Sequence, residues 1–183
     1  MTANVLRTVV QAAVDVTGAA AGWVLTVAGD RAEVGAAAGA GAEALVGTRV
    51  DVGTGSAGFV LSSGQPLAVA PRPDDPLAAE GLPAALGRRA TSILSVPCSD
   101  DDGVLGALEL VDKAGGVPFS FDDVELATLL AGIAAAALAE GGGSPPRVPE
   151  PGQLASELAR LAATDRTRYA AVAVAVAALI AGG

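Results

Sequence analysis

The sequence predicts an α/β fold of the α+β kind, in which antiparallel hairpins are flanked by helices and a helical extension follows. Three observations carry this. Two pairs of strand-length apolar runs, 22–28 with 31–37 and 91–98 with 104–113, are each joined by a short reversal rich in Gly or Asp. Helix-period segments occupy 4–16 and the stretch from 121 onward. A stretch dominated by Gly and Pro, 141–152, then sets off residues 153–183.

In the first helix Val5, Leu6, Val9, Val10, Ala13 and Val14 share one face, with Arg7, Gln11 and Asp15 opposite and Gly18 closing the element. "GWVLTVA" (22–28) and "RAEVGAA" (31–37) read as strands joined through Gly29-Asp30. A short helix at 42–46 and a strand at 49–52 follow. In "GTGSAGFVLSSGQPLAVA" (53–70) the glycines open and close one short helix, about Ala57 to Ser62, before the strand "QPLAVA". Residues 71–89 carry four prolines and two glycines, which permit only short helical turns. A loop of that length inside a compact domain is commonly functional.

"SVPCSDDDGVLGALEL" (95–110) contains three consecutive aspartates and the single cysteine of the chain. A hard-cation site wants six or more oxygens drawn from residues spaced along a loop, whereas three adjacent aspartates point in different directions. Asp and Gly do accept the backbone angles of a tight reversal, so the reading is a hairpin corner. Cys98 has no basic neighbour in sequence to lower its pKa and reads as a small buried hydrophobe. Beyond it, Ser120 and Asp123 form an S-x-x-D capping box, with Asp122, Asp123 and Glu125 read as capping and solvated groups. In that helix Leu126, Leu130, Ile133 and Ala137 make one stripe.

Composition narrows the function classes. With 11 basic against 20 acidic residues the formal charge is −9, and the pI is near 4.3. That balance repels phosphate backbones and anionic lipid, so no nucleic-acid partner is expected. Hydrophobic residues make up 51% and aromatics only 3%, so the core must be closely packed Ala, Val and Leu. One cysteine excludes an intrachain disulfide and suits a reducing cytoplasm. The absence of histidine removes the commonest metal ligand, the usual general base and every Ser-His or Cys-His pair. The N-terminus lacks the pattern of a signal peptide. A non-catalytic cytoplasmic protein is the expectation.

Residues 153–183 read as one long helix, amphipathic through Leu154, Leu158 and Leu161 and apolar all round in "YAAVAVAVAALIAGG". The 29 residues from Gln153 to Ala181 would span about 43 Å. A helix apolar all round must be buried in something. A homodimer built on helices, including this one, is expected. Membrane attachment is the competing account, opposed by a purely apolar run (Ala170 to Ala181) shorter than the roughly 20 residues of a spanning helix.

The order of these elements resembles a GAF domain. "GTGSAGFVLSSGQPLAVA" is similar to that family's G-x-x-G-x-x-A-x-x-G-x-P-x-x-I region. "RRATSILSVPCSDDDGVLGALELVDKAGGVPFSFDDVELATLLAGIAAAAL" is similar to its S-x-L-x-V-P, G-x-L-x-L-x-N-K and F-x-x-x-D tail. The resemblance covers most of residues 1–140, leaving 141–152 as a linker and 153–183 as a C-terminal helix. It implies a central antiparallel sheet with helices on both faces: the first and last domain helices on one, short helices and loops roofing a small-molecule pocket on the other. Continuous apolar strands agree with a sheet covered on both faces.

Cyclic-nucleotide members of that family carry N-K…F-x-x-x-D-E. Here Lys113, Phe119 and Asp123 match, while Asp112 replaces the Asn and Val124 the Glu, so these positions read as braces of the fold. Haem and bilin are not expected as cofactors, since haem-binding members use a histidine and bilin-binding members a cysteine with histidine nearby. Zinc is not expected either. Sulfoxide reductases of this fold need several cysteines. What remains is a regulatory sensor that binds a small molecule in signal transduction, acting with a partner signalling protein. The alternative is a ligand-free dimerisation or interaction module with a vestigial pocket, toward which the low aromatic count leans. The ligand-binding candidates are Phe59, Arg88, Arg89, Ser92 and Glu109, between the sheet and segment 71–89. The bland reading of Arg88 and Arg89 is surface charge, and an anionic metabolite follows only if an arginine points inward.

Overall fold

The computed structural model describes residues 2–72, 75, 82–87, 89–141 and, beyond these, 159, 160, 162, 163 and 166. The chain divides into two compact units, Met1–Gly142 and Gly143–Gly183. Residues 142–152 of the predicted linker and nearly all of the predicted C-terminal helix lie outside the described residues, while Gly141 ends the last helix of the first unit.

In the first unit α1 (Thr2–Thr17) leads into β1 (Ala19–Ala28) and β2 (Arg31–Ala38). A 3-10 turn (Ala42–Leu45), β3 (Arg49–Asp51), α2 (Gly55–Ser63) and β4 (Leu67–Val69) follow. The single turn α3 (Leu82–Ala85) precedes β5 (Ile93–Asp100) and β6 (Gly103–Lys113), and α4 (Phe121–Gly141) closes the unit. The six strands form one antiparallel sheet in the order β3-β2-β1-β6-β5-β4. Because β3 and β4 are opposite edges, the chain must cross one face between them, and α2 makes the crossing against β5 and β6.

The strand period of two divides the apolar residues between two layers. Val24, Leu94, Val96, Cys98, Leu108 and Leu110 face α1 and α4, which also pack on each other. Trp23, Leu25, Val34, Ile93 and Val111 face the other way, in a cluster shared with Ala57 of α2, Leu82 of α3 and Ala90. Both faces are covered, as the continuous apolar strands predict. Gly106 sits where β6 leaves no room for a side chain. A Cβ there would overlap the Leu25 carbonyl oxygen and lie 3.0 Å from Leu138 Cδ1.

Two predicted stripes are redistributed. On α1 Leu6, Val9, Val10, Ala13 and Val14 are buried as expected, but Val5 is 39% exposed. On α4 the leucine–isoleucine stripe does not hold together. Ala137 is buried and Leu130 half-buried, while Leu126 and Ile133 are 41% and 52% exposed. The sheet instead receives Ala127, Ala131, Ala134, Ala135 and Leu138. The large side chains standing on the strands already fill the layer, so mostly methyl-sized groups fit beneath the helix.

Candidate functional site: a buried carboxyl on the α2 face

Antiparallel register places Trp23 of β1, Glu109 of β6, Ser95 of β5 and Leu67 of β4 side by side in one row across the sheet. All four emerge on the face that α2 crosses. Glu109 is 1% exposed, in the middle of the apolar run that ends β6. Trp23 Nε1 donates to its Oε2 at 2.9 Å, and Ser56 Oγ, from the first turn of α2, donates to Oε1. Burial pushes the Glu109 carboxyl above its ordinary range, and the bonds from Ser56 and Trp23 only partly offset this. Across the strand, Ser95 is fully buried and its Oγ makes no hydrogen bond. A buried carboxyl held by two neutral donors beside an unsatisfied hydroxyl is the most polar place in an otherwise apolar layer.

A second polar cluster sits where β6 ends. Asp112 adopts φ +57°, and its Oδ1 accepts from Thr91 N at 2.7 Å and Thr91 Oγ1 at 2.9 Å. Lys113 N donates to Ser92 Oγ at 2.9 Å. Lys113 Nζ pairs with Asp123 Oδ2, and the same oxygen accepts from Ser120 N at 2.6 Å. With Asp123 N donating back to Ser120 Oγ at 3.3 Å, this is the predicted capping box, tied by an ion pair to the end of β6. Burial alone would raise the Asp123 carboxyl; the bonds from Lys113 and Ser120 and the Lys113 charge outweigh it and hold Asp123 below its ordinary range.

The five predicted site residues separate. Glu109 lies at the centre of the buried row. Ser92 is buried, but its hydroxyl belongs to the Lys113 cluster. Phe59 is 47% exposed on α2. Arg89 is exposed, and Arg88 lies outside the described residues. Trp23, Ser56 and Ser95 were missed. Trp23 and Ser95 sit in apolar strands, where only the strand register, set by pairing across the sheet, shows that they flank Glu109.

The remaining candidates resolve into structural roles. Asp100 Oδ1 accepts from Asp102 N at 2.9 Å and Gly103 N at 3.1 Å, so the aspartate run builds the β5–β6 turn. Among the described residues no group of three or more His, Cys, Asp or Glu could hold a metal ion. Cys98 is buried, and desolvation pushes its thiol up to about 12 despite a Leu108 backbone hydrogen bond. No described helix is long and apolar enough to cross a membrane.

A family model described as GAF domain matches residues 2–139. No curated protein matches the chain. Among solved structures, the chain is similar to the GAF-B domain of DevS from Mycobacterium smegmatis, with 24% identity and a TM-score of 0.61 over 77% of this chain and 95% of that one. The blue-light absorbing form of the Thermosynechococcus elongatus PixJ GAF domain gives 12% and 0.60 over 76% and 85%. A type II free methionine-R-sulfoxide reductase from Thermoplasma acidophilum gives 13% and 0.62 over 76% and 93%. Identities this low speak for the fold.

Proposed function

Because the chain belongs to the GAF domain family over residues 2–139, we propose that it is a non-catalytic regulatory module that takes a small molecule on the α2 face of its sheet. The observation that carries this is the Glu109 row. Polar groups are placed there at the cost of burial, while the rest of that layer is apolar. Against catalysis stand the absence of histidine from the chain and a lone thiol too basic to act as a nucleophile near neutral pH. The cysteines that a reductase of this fold uses for exchange have no counterpart beyond Cys98. Thermal-shift screening of the full chain against a broad metabolite set tests the reading, since a ligand that binds only the folded state raises Tm by mass action. At least one metabolite is expected to do so saturably. A flat response across the set removes the sensor reading.

A second reading, dimerisation through helices, is favoured by a specific surface. Leu126, Leu129 and Ile133 of α4 are 41%, 70% and 52% exposed, beside the exposed Val5 of α1. A groove of about 180 Å³ between the helices is lined by Thr2, Val5, Ile133, Ala136, Ala137 and Glu140. Apolar side chains repeating along one face of a helix are what a helix-to-helix interface buries. The wild type is expected to sediment as a dimer and the Leu129→Asp/Ile133→Asp double variant as a folded monomer. Truncation after Glu150 reports separately whether the C-terminal segment takes part. A wild type that is monomeric at high micromolar concentration ends this reading.

A further inference from the structure

The described groups that converge on the α2 face have a sign. Among the described residues Glu109 is the one buried ionisable side chain of that layer, and a carboxylate offers about four lone-pair positions, of which Trp23 and Ser56 use two. Ser95, its cross-strand neighbour, has a buried hydroxyl with no hydrogen bond of its own. Leaving such a group unsatisfied destabilises the fold, a cost that a guest bonded to it removes. Among the described residues Lys113 pairs with Asp123, Arg31 with Asp51 and Arg49 with Glu33, and Arg72 is exposed. Arg89 is exposed. A guest that complements this row donates hydrogen bonds to both Glu109 and Ser95 and carries positive charge. An anion would meet a carboxyl in a poorly screened layer, and a neutral guest would forgo the charge pairing that a low dielectric strengthens.

We propose that the Glu109–Ser95 pair is the head-group site for a small organic cation bearing a protonated primary amine, with Glu109 as counter-ion and Ser95 as second acceptor. This rests on the reading that the α2 face takes a small molecule, and it assigns that molecule its chemical class. It also reverses the sign suggested by Arg88 and Arg89 in the sequence. Pairing with a cation favours the ionised carboxyl that burial disfavours, so affinity rises with pH as Glu109 ionises.

Trp23 reports on the site, being the only tryptophan of the chain and hydrogen-bonded to Glu109 Oε2. The experiment titrates the full chain with n-butylammonium, n-butanol and butyrate at constant ionic strength, following Trp23 emission and Tm. Wild type, Glu109→Gln and Ser95→Ala are compared at pH 5 and pH 7.5. The expected result is a saturable response to n-butylammonium alone, weaker at pH 5, reduced at least tenfold in Glu109→Gln and several-fold in Ser95→Ala. Should Glu109→Gln fail to fold, Ser95→Ala and the pH dependence carry the test. A response to butyrate or butanol equal to that of the amine, or an amine response untouched by either variant, overturns the cation assignment and leaves the small-molecule reading standing. No response to any of the three probes overturns the assignment. Whether the broader reading then falls is decided by the metabolite screen.

Discussion

Replacing Gly106 by alanine is expected to lower the unfolding free energy by about 3 kcal/mol or more. The added methyl has nowhere to go. It would overlap the backbone carbonyl of Leu25 on the neighbouring strand, which can move only with β1, and press on Leu138 of α4 from the other side. Overpacking a tight site costs about 1–3 kcal/mol when side chains can yield, and more when backbone must shift. Gly132 is the control. It is exposed within α4 with nothing near its missing Cβ, so Gly132→Ala should stabilise by about 0.5–1 kcal/mol through helix propensity. Urea midpoints followed by Trp23 fluorescence read both. Equal midpoints for Gly106→Ala and wild type would show that β1 and β6 are not held as close as described.

Asp123→Ala is expected to cost about 2–3 kcal/mol at neutral pH, since it removes the acceptor of the capping box and the partner of a half-buried lysine. The pH dependence separates this from a packing defect. Asp123 is depressed in the folded state, so its contribution is fully present above the unfolded carboxylate value of about 3.9. It is lost as pH falls through the folded value. The gap between wild type and Asp123→Ala should therefore hold from pH 7 to about 5 and narrow below about 4. Glu109 acts in the opposite sense. A raised folded value means the native state binds the extra proton, so its contribution declines as pH rises through that value. Chemical denaturation of both proteins between pH 3 and 7 checks the signs, and a gap independent of pH would mean that Asp123 is not ionised in its ion pair.

The element order and both central hairpins were legible because each strand carries an uninterrupted apolar run and each reversal its own Gly or Asp. The capping box was legible because it is local: Ser120 and Asp123 are three residues apart. The outward turn of Leu126 and Ile133 was not, because helix periodicity gives a face its composition and not its direction. Only the bulk already on β5 and β6 decides that the alanines go inward. Glu109 stood out as a carboxyl in an apolar strand, whereas its partners come from positions 86 and 53 residues away. Arg88 and Arg89 drew notice as adjacent charges, yet Arg89 is exposed and the inward charge in the described layer is acidic.

The alanine underside of α4 has a mechanical meaning. Methyl groups form shallow ridges, so beneath Ala127, Ala131, Ala134 and Ala135 the sheet opposes sliding and tilting less than interlocked leucines would. The firm attachment is at the first turn, where Asp123 takes Lys113 and Ser120 together. From there a helix of 21 residues runs about 31 Å at 1.5 Å per residue, with Leu138 near its far end buried beside Gly106. Lys113 lies four positions beyond Glu109 on β6. The strand that carries the buried carboxyl therefore also carries the anchor of the first turn of α4.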